Sequence, residues 1–368
     1  LATKPDPDAA FLAFDRFLNG LPAGVQLFAM FHANPPLLGL VTDILGVAPA
    51  LADHLARRPS VLESVLSAPD FFQPPLALAD LEAELQGILD QARDFEDMLD
   101  LARRWANDRR FQVGVQALKS LIDTKAAGAA WSRVAEAALR RLLPLIEAEF
   151  ARTHGRIAGC DMAILGMGKL GGAEMTATSD LDLIFIYCTP PEGAHSDGRR
   201  PLPAPLYFAR LSQRLINAIT APMAEGRLYE VDMRLRPSGN SGPIAVSLTT
   251  FARYQLEDAW VWEQMALTRA RVIAGPAALA ADIEAAIRTV LTRRRDPLGL
   301  VADVAEMREK MATEHATRSL WEPKHVRGGL IDIEFIAQYL QLRHAHAAPQ
   351  VLSTNTMDAL NALAAAGV

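Results

Sequence analysis

The sequence has little cysteine and no excess of positive charge, and each shortage excludes a class of protein. Cys160 and Cys188 are too few for a disulfide scaffold, and no spacing of cysteines and histidines matches a zinc site. The 37 Lys and Arg residues are outnumbered by 43 Asp and Glu residues, so the net charge is −6. A general nucleic-acid binder needs a broad basic surface, and we therefore expect no nucleic-acid partner. A nucleotide is compatible with this charge, because metal ions and a few arginines suffice to hold a small anion.

The sequence also lacks a long hydrophobic run. No apolar stretch reaches the roughly 18 residues that a membrane span needs, and the N-terminal residues lack the apolar core of a signal peptide. We therefore expect a cytoplasmic protein with no membrane partner. Half of the 368 residues are hydrophobic, which is typical of well-buried globular domains, and the length predicts two or three of them. Because the chain begins at Leu1 rather than Met, we expect a fragment of a longer protein, truncated in its C-terminal domain.

The hydrophobic pattern divides the chain into three segments. Residues 1–155 have the spacing of helices, residues 156–275 contain the strand candidates, and residues 276–368 return to helical spacing. Three helices have recognisable bounds: one with Asp6 as N-cap and Pro7 in its first turn that ends at Asn19 and Gly20, one over about 207–219, and one over about 331–343. We predict an α+β fold with a mixed core between largely helical regions.

Two carboxylates stand in a strand-like run within the middle segment. Residues 162–165 and 181–187 are the first two strand candidates, and Asp180 and Asp182 lie two residues apart at the start of the second. Side chains two apart on a strand point to the same face. Two close carboxylates repel each other unless a cation lies between them, and Mg²⁺ prefers such oxygen ligands. A lone pair of this kind is more often a solvated strand edge, so the surrounding residues decide between the two interpretations.

A third strand candidate supplies more charge. Residues 228–235 alternate strictly from Tyr229 onward, which predicts that Glu230, Asp232, Arg234 and Arg236 share one face. Acids and arginines on one face make a poor core but a suitable site for metal ions and phosphate. Arg234 and Arg236 either neutralise a triphosphate or pair with Glu230, and the sequence leaves both open.

A glycine-rich turn follows the first strand candidate. It contains Gly166, Gly168, Lys169, Gly171 and Gly172, and it lets the backbone approach a ligand while a following helix offers N–H groups to phosphate. The run is no Walker A motif, because the lysine has no adjacent Ser or Thr. Ser179, just before the acids, either contacts a phosphate or ends the helix before the strand.

The order of these motifs resembles the DNA polymerase β-like nucleotidyltransferase superfamily. The fuller match, over residues 166–172, 179–185, 229–239 and 328–335, resembles the bacterial glutamine synthetase adenylyltransferase/adenylyl-removing enzyme family. Members have two similar halves, of which the N-terminal one removes AMP from glutamine synthetase and the C-terminal one attaches it. This chain has one set of motifs, and residues 229–232 with 236–239, 259–263 and 332–335 look more like the adenylylating half.

The resemblance implies roles for the residues singled out above. Asp180, Asp182 and Asp232 would hold two Mg²⁺ ions, and ATP would bind across them and the glycine turn. A tyrosine hydroxyl of glutamine synthetase would attack the α-phosphorus and release pyrophosphate, with Asp232 as a candidate acceptor of the tyrosine proton. A PII-type signal protein is a further expected partner. Two alternatives stay open: the adenylyl-removing half, and a non-catalytic module that binds glutamine synthetase or PII.

Several other residues have both a structural and a functional interpretation. Arg269 and Arg271 either stabilise the fold or face the triphosphate, Glu263 is either a surface or a site acid, and Asp332 either caps its helix or lies near the site. Capping is favoured for Asp332.

Overall fold

The computed structural model describes residues 1–19, 24–67, 71–316, 319 and 321–368. Contacts between Cα atoms divide the chain into two compact units. The helical unit comprises residues 1–137, 175–179 and 223–228, and the sheet unit comprises residues 138–174, 180–222 and 229–368. The three-segment division made from the sequence stays a prediction.

In the part of the chain that the structure describes, the helical unit contains seven helices and the first part of an eighth. They are α1 (Pro7–Asn19), α2 (Gly24–Ala33), α3 (Pro35–Val47), α4 (Pro49–Arg57), α5 (Val61–Ser67), α6 (Leu78–Leu89), α7 (Phe95–Leu118) and the first part of α8 (Thr124–His154). The predicted start of α1 is confirmed, because the Ala9 N–H donates to the Asp6 carboxylate at 2.9 Å. Its predicted end is confirmed at Asn19, whereas Gly20 lies outside the described residues. A core around Phe17, Ile44, Leu55 and Phe111 holds α1 to α5 and α7 together.

The sheet unit combines a small mixed sheet with helices. Its elements after α8 are β1 (Met162–Gly166), α9 (Gly168–Gly171), β2 (Leu181–Tyr187), α10 (Ala204–Thr220), β3 (Val231–Asp232), β4 (Ala245–Ser247), α11 (Leu248–Glu257), α12 (Val261–Leu267), β5 (Arg271–Ala274), α13 (Ala277–Leu291), α14 (Pro297–Glu314), α15 (Leu330–His344) and α16 (Thr356–Ala365). The predicted α+β class is confirmed. The helices predicted over about 207–219 and 331–343 are α10 and α15.

The order of strands in the sheet is β3-β2-β1-β5. Strand β1 pairs antiparallel with both β2 and β5. Strands β3 and β4 both pair parallel with β2, β3 at its first two residues and β4 at its last three. The start of β2 therefore meets β3 on one side and the end of β1 on the other, which fixes the place of the candidate site.

The strand predictions had mixed outcomes. The first two are confirmed, and β2 has the predicted bounds. The third is wrong beyond its centre: only Val231 and Asp232 pair, and the chain then enters turns closed by the Arg236 N–H on the Met233 carbonyl and the Gly239 N–H on the Arg236 carbonyl. Strands β4 and β5 were not predicted, because runs of three and four residues carry little periodicity.

Cys160 and Cys188 form a disulfide beside the sheet, with their Cα atoms 5.3 Å apart. One bridge is compatible with the exclusion of a disulfide scaffold.

Within the described residues, no single helix is long and apolar enough to cross a membrane. The pair α3 and α4 passes the same test together, but it is bent by 119°.

Candidate active site

The parallel pairing of β2 with β3 brings two of the predicted acids together. Asp182 lies opposite Asp232 in the register of the two strands, and the neighbouring Leu181 N–H donates to the Glu230 carbonyl at 2.9 Å. Asp180 directly precedes β2 and is exposed. The sheet thus places the three predicted acids at the start of β2.

The glycine turn (residues 166–172) lies against Asp182. The Met167 N–H donates to the Asp182 carbonyl at 2.9 Å, and Gly168 has a φ of +53°. A Cβ atom on Gly168 would meet the Asp182 Oδ2 atom at 2.2 Å, so a side chain there is incompatible with this carboxylate position. Gly166 is buried, Lys169 is exposed, and α9 has only four residues. So short a helix contributes little of the dipole expected from a longer one.

Asp182 is the most strongly perturbed acid of the site. The pKa of Asp182 is raised to about 6, mostly by burial and then by the negative charges of Asp180 and Asp232, while Arg269 and Arg234 oppose the shift. A carboxylate with this surplus of negative charge is stabilised by any cation that reaches it.

Asp232 already has a cation. The Arg234 Nε donates to Asp232 Oδ2 at 2.7 Å, and the Arg234 backbone N–H donates to Oδ1 at 2.8 Å. Burial raises the pKa of Asp232, but the hydrogen bonds and the charge of Arg234 outweigh it and hold the pKa below its ordinary value. Arg234 therefore pairs with Asp232, an arrangement that neither sequence interpretation named, while its guanidinium stays exposed.

Arg236 does not share a strand face with Asp232 and Arg234, because β3 has ended. Its guanidinium donates to the backbone carbonyl of Met233 at 2.8 Å and to that of Gly242 at 3.4 Å. In this position Arg236 stabilises the loop that follows β3.

Ser179 is buried, and its hydroxyl is used within its own turn. The oxygen accepts the Thr176 N–H at 2.9 Å and lies 2.9 Å from the Thr176 hydroxyl. This contact supports a structural role for Ser179 rather than contact with a phosphate. The residue closes a turn, however, and does not end a helix.

The remaining candidates act within the fold. Glu263 is buried, accepts the Trp260 N–H at the start of α12 and accepts the Tyr254 hydroxyl at 2.8 Å. Asp332 accepts the Gly328 N–H at 2.5 Å and pairs with Arg308 on α14, so its carboxylate is used at the start of α15. Trp260 is exposed.

The sequence did not single out Glu174, which forms an ion pair with Arg269. Its position two residues after the glycine turn is the feature of the sequence that could have identified Glu174. Arg269 itself is buried and faces this acid rather than solvent.

The site fits a divalent cation in the chemistry of its ligands. Hard oxygen ligands are those that Mg²⁺ prefers, and the raised pKa of Asp182 indicates unbalanced negative charge. In the described ranges no three His, Cys, Asp or Glu side chains converge at metal-binding distance in this arrangement, in which Asp232 is engaged by Arg234. The predicted Asp180, Asp182 and Asp232 ligand set stays a prediction.

The pKa of Asp182 leads to a prediction about stability. Its folded-state pKa of about 6 exceeds the ordinary 3.8, so between these values the native state binds more protons and stability falls as pH rises. Without divalent cations, we expect Asp182→Asn to be about 3 kcal/mol more stable than the wild type at pH 7 and nearly equal to it at pH 4. Urea unfolding in EDTA at pH 4, 5, 6 and 7 measures this difference. A variant that is less stable at every pH would contradict the assignment.

Known proteins match this chain over most or all of its length. A family model described as glutamate-ammonia ligase adenylyltransferase matches residues 38–286. Three relatives are each named bifunctional glutamine synthetase adenylyltransferase/adenylyl-removing enzyme. The one from Rhodopseudomonas palustris is 46% identical over 361 residues, which is 98% of this chain and 36% of the relative. The one from Bradyrhizobium diazoefficiens is 44% identical over 368 residues, covering 100% and 37%. The one from Brucella melitensis is 48% identical over 335 residues, covering 91% and 34%. The chain thus spans about a third of the length of these relatives.

Proposed function

The chain belongs to the glutamate-ammonia ligase adenylyltransferase family, and on that premise we propose that it transfers AMP from ATP to a tyrosine hydroxyl of glutamine synthetase. Glutamine synthetase is another name for glutamate-ammonia ligase. The observation that carries the proposal is the packing of the glycine turn on Asp182, with Asp232 as its cross-strand neighbour. This arrangement offers a turn for the triphosphate beside acids for a cation.

The proposed core is a polymerase β-like nucleotidyltransferase fold. The support is topological: a glycine turn connects β1 to the region before β2, and the third acid lies on a short strand parallel to β2. Asp180, Asp182 and Asp232 would hold two Mg²⁺ ions. When bound, such ions neutralise charge on the triphosphate and stabilise the attacking and leaving oxygens.

The reaction forms one phosphorus–oxygen bond and breaks another, and the tyrosine hydroxyl loses its proton to solvent. The tyrosine oxygen bonds to the α-phosphorus of ATP, the bond from that phosphorus to the oxygen bridging to the β-phosphorus breaks, and pyrophosphate leaves. Gly166 and Gly168 let the backbone approach the phosphates, and the exposed Lys169 adds a positive charge. Once Arg234 turns from Asp232 to the triphosphate, the Asp232 carboxylate is free to bind the cation, and we assign it that role rather than general-base catalysis.

One assay tests the direction of AMP movement. The 368-residue chain is incubated with glutamine synthetase, Mg²⁺ and ATP labelled at the α-phosphate, and label on the synthetase is measured. We expect stable label and equimolar pyrophosphate. Phosphate-dependent removal of AMP from adenylylated synthetase as ADP, with no labelling, would instead identify the adenylyl-removing activity. Binding of the synthetase or of a PII-type protein with neither activity would identify a regulatory module.

Arg234 is expected to exchange Asp232 for the triphosphate when ATP binds, because its guanidinium is exposed and close to the acids. We expect Arg234→Ala to raise the KM for ATP about tenfold. The same change removes a competitor for Asp232, so Mg²⁺ alone should bind more tightly, as calorimetry would measure. Arg288→Ala, an exposed arginine on α13, is the matched control and should change neither quantity. An unchanged KM for ATP would show that Arg234 pairs with Asp232 but does not bind the triphosphate.

A further inference from the structure

Arg269 is a buried cation directly behind the glycine turn. Only 5% of the residue is exposed. A Cβ atom on Gly172 would lie 3.1 Å from the Arg269 Nη2 and 3.2 Å from its Nε, so the guanidinium lies against the backbone of the turn. Among the described residues, that Nε is buried and makes no hydrogen bond. The guanidinium is thus held by its charged contacts rather than by a full set of hydrogen bonds.

Two carboxylates from different elements hold this guanidinium. Its Nη2 lies 2.5 Å from Glu174, two residues beyond the turn, and its Nη1 lies 3.0 Å from Glu334 on α15. One arginine therefore joins the end of the glycine turn to α15. Because the arginine is buried, these ion pairs are only weakly screened by solvent.

The Glu174 carboxylate also connects the glycine turn to α16. Glu174 accepts the Thr356 N–H at 2.5 Å and the Thr356 hydroxyl at 3.1 Å. Asn355, whose side chain caps α16, also donates to the Gly172 carbonyl at 3.2 Å. The turn is thereby joined to the first residues of α16 by two separate sets of contacts.

The backbone contacts of the turn leave little room for adjustment. A Cβ atom on Gly171 would lie 1.8 Å from the Arg269 carbonyl oxygen, and one on Gly168 would lie 2.2 Å from Asp182. The turn is therefore packed between the backbone of Arg269 at one end and the Asp182 carboxylate at the other. A shift of Arg269 would be transmitted to Gly168.

We infer that Arg269, held by Glu174 and Glu334, is a positioning residue that fixes the glycine turn at Asp182 and ties it to α15 and α16. The inference rests on the proposed function, since the turn is taken to receive the triphosphate.

Hydrogen exchange and kinetics on the 368-residue chain test this role. We expect Arg269→Gln to speed exchange in a peptide covering residues 166–174 about tenfold, because the turn loses its anchor. The KM for ATP should rise about tenfold with kcat within about threefold, since the turn binds ATP equally before and during the reaction. Arg269→Lys keeps one ion pair and should restore the KM to within about threefold of the wild type. The control Arg288→Gln should leave exchange and kinetics unchanged.

The outcomes separate this role from its alternatives. If Arg269→Gln does not fold, Glu334→Gln removes one partner and should still speed exchange in residues 166–174. Unchanged exchange in the folded variants would overturn the inference, as would a fall in kcat at constant KM. If the wild type transfers no AMP, the proposed function fails, whereas the exchange measurement still decides whether Arg269 anchors the turn.

Discussion

Asp182→Asn is expected to reduce AMP transfer by about 10³-fold or more, because the central acid of the site loses its charge while its shape is kept. Asp182 follows Asp180 by two residues and lies opposite Asp232 on the neighbouring strand. Any cation shared by the three acids therefore contacts the Asp182 carboxylate. A loss of about 4 kcal/mol of transition-state stabilisation corresponds to a thousandfold in rate. We therefore expect the label on glutamine synthetase to fall to background.

The same variant distinguishes a lost site from a lost fold. Because the unbalanced charge at Asp182 destabilises the cation-free protein, Asp182→Asn should be inactive and yet more resistant to urea than the wild type at pH 7. Mg²⁺ should stabilise the wild type and not the variant, since it binds only where the carboxylate is present. Asp282→Asn, on the exposed side of α13, is the matched control and should keep full activity. Wild-type rates in Asp182→Asn would remove this acid from the mechanism.

Gly168→Ala is expected to reduce AMP transfer by about 10²-fold through a steric conflict with Asp182. The added methyl would meet the Asp182 Oδ2 atom at 2.2 Å, so either the turn or the carboxylate must move. A displacement of about 1 Å at a catalytic group is enough for a hundredfold loss of rate. Initial rates of labelling at saturating and limiting ATP measure the effect on kcat and KM.

The control for Gly168→Ala is Gly193→Ala, which has the same backbone requirement without the neighbour. Both glycines have positive φ, +53° and +74°, but a Cβ atom on Gly193 has nothing within 4 Å among the described residues. Each alanine should therefore cost about 1 kcal/mol of stability for its left-handed conformation. Only Gly168→Ala should lose activity. Equal activity in the two variants would show that the turn does not need to approach Asp182.

The local sequence pattern correctly predicted elements that are long or that begin with a clear capping residue. Strand β2 has the predicted bounds because seven consecutive residues, six of them buried, form one central strand. The start of α1 was predictable because the Asp6 cap acts within one turn. The family was predictable from the joint match of the motifs over residues 166–172, 179–185, 229–239 and 328–335.

Local pattern failed where pairing between distant segments decides the structure. The alternation over residues 228–235 continues past the point at which β3 stops pairing with β2, so it wrongly predicted that Arg236 shares a face with Asp232. Periodicity reports which side chains alternate, whereas the extent of a strand depends on whether a partner strand is present to accept its hydrogen bonds.

The sequence by itself determined which chemistry this protein carries: two aspartates at the start of a strand, a glycine turn before them, and a third aspartate downstream. The tertiary structure alone decided how these groups are arranged. It placed Asp232 opposite Asp182 and buried Arg269 between Glu174 and Glu334. These contacts join residues far apart in the sequence, so they depend on the path of the backbone between the partners, whereas Arg234 and Arg236 bond within their own short segment. A charged side chain pairs with whichever opposite charge that path brings within reach, and sequence spacing does not specify the path.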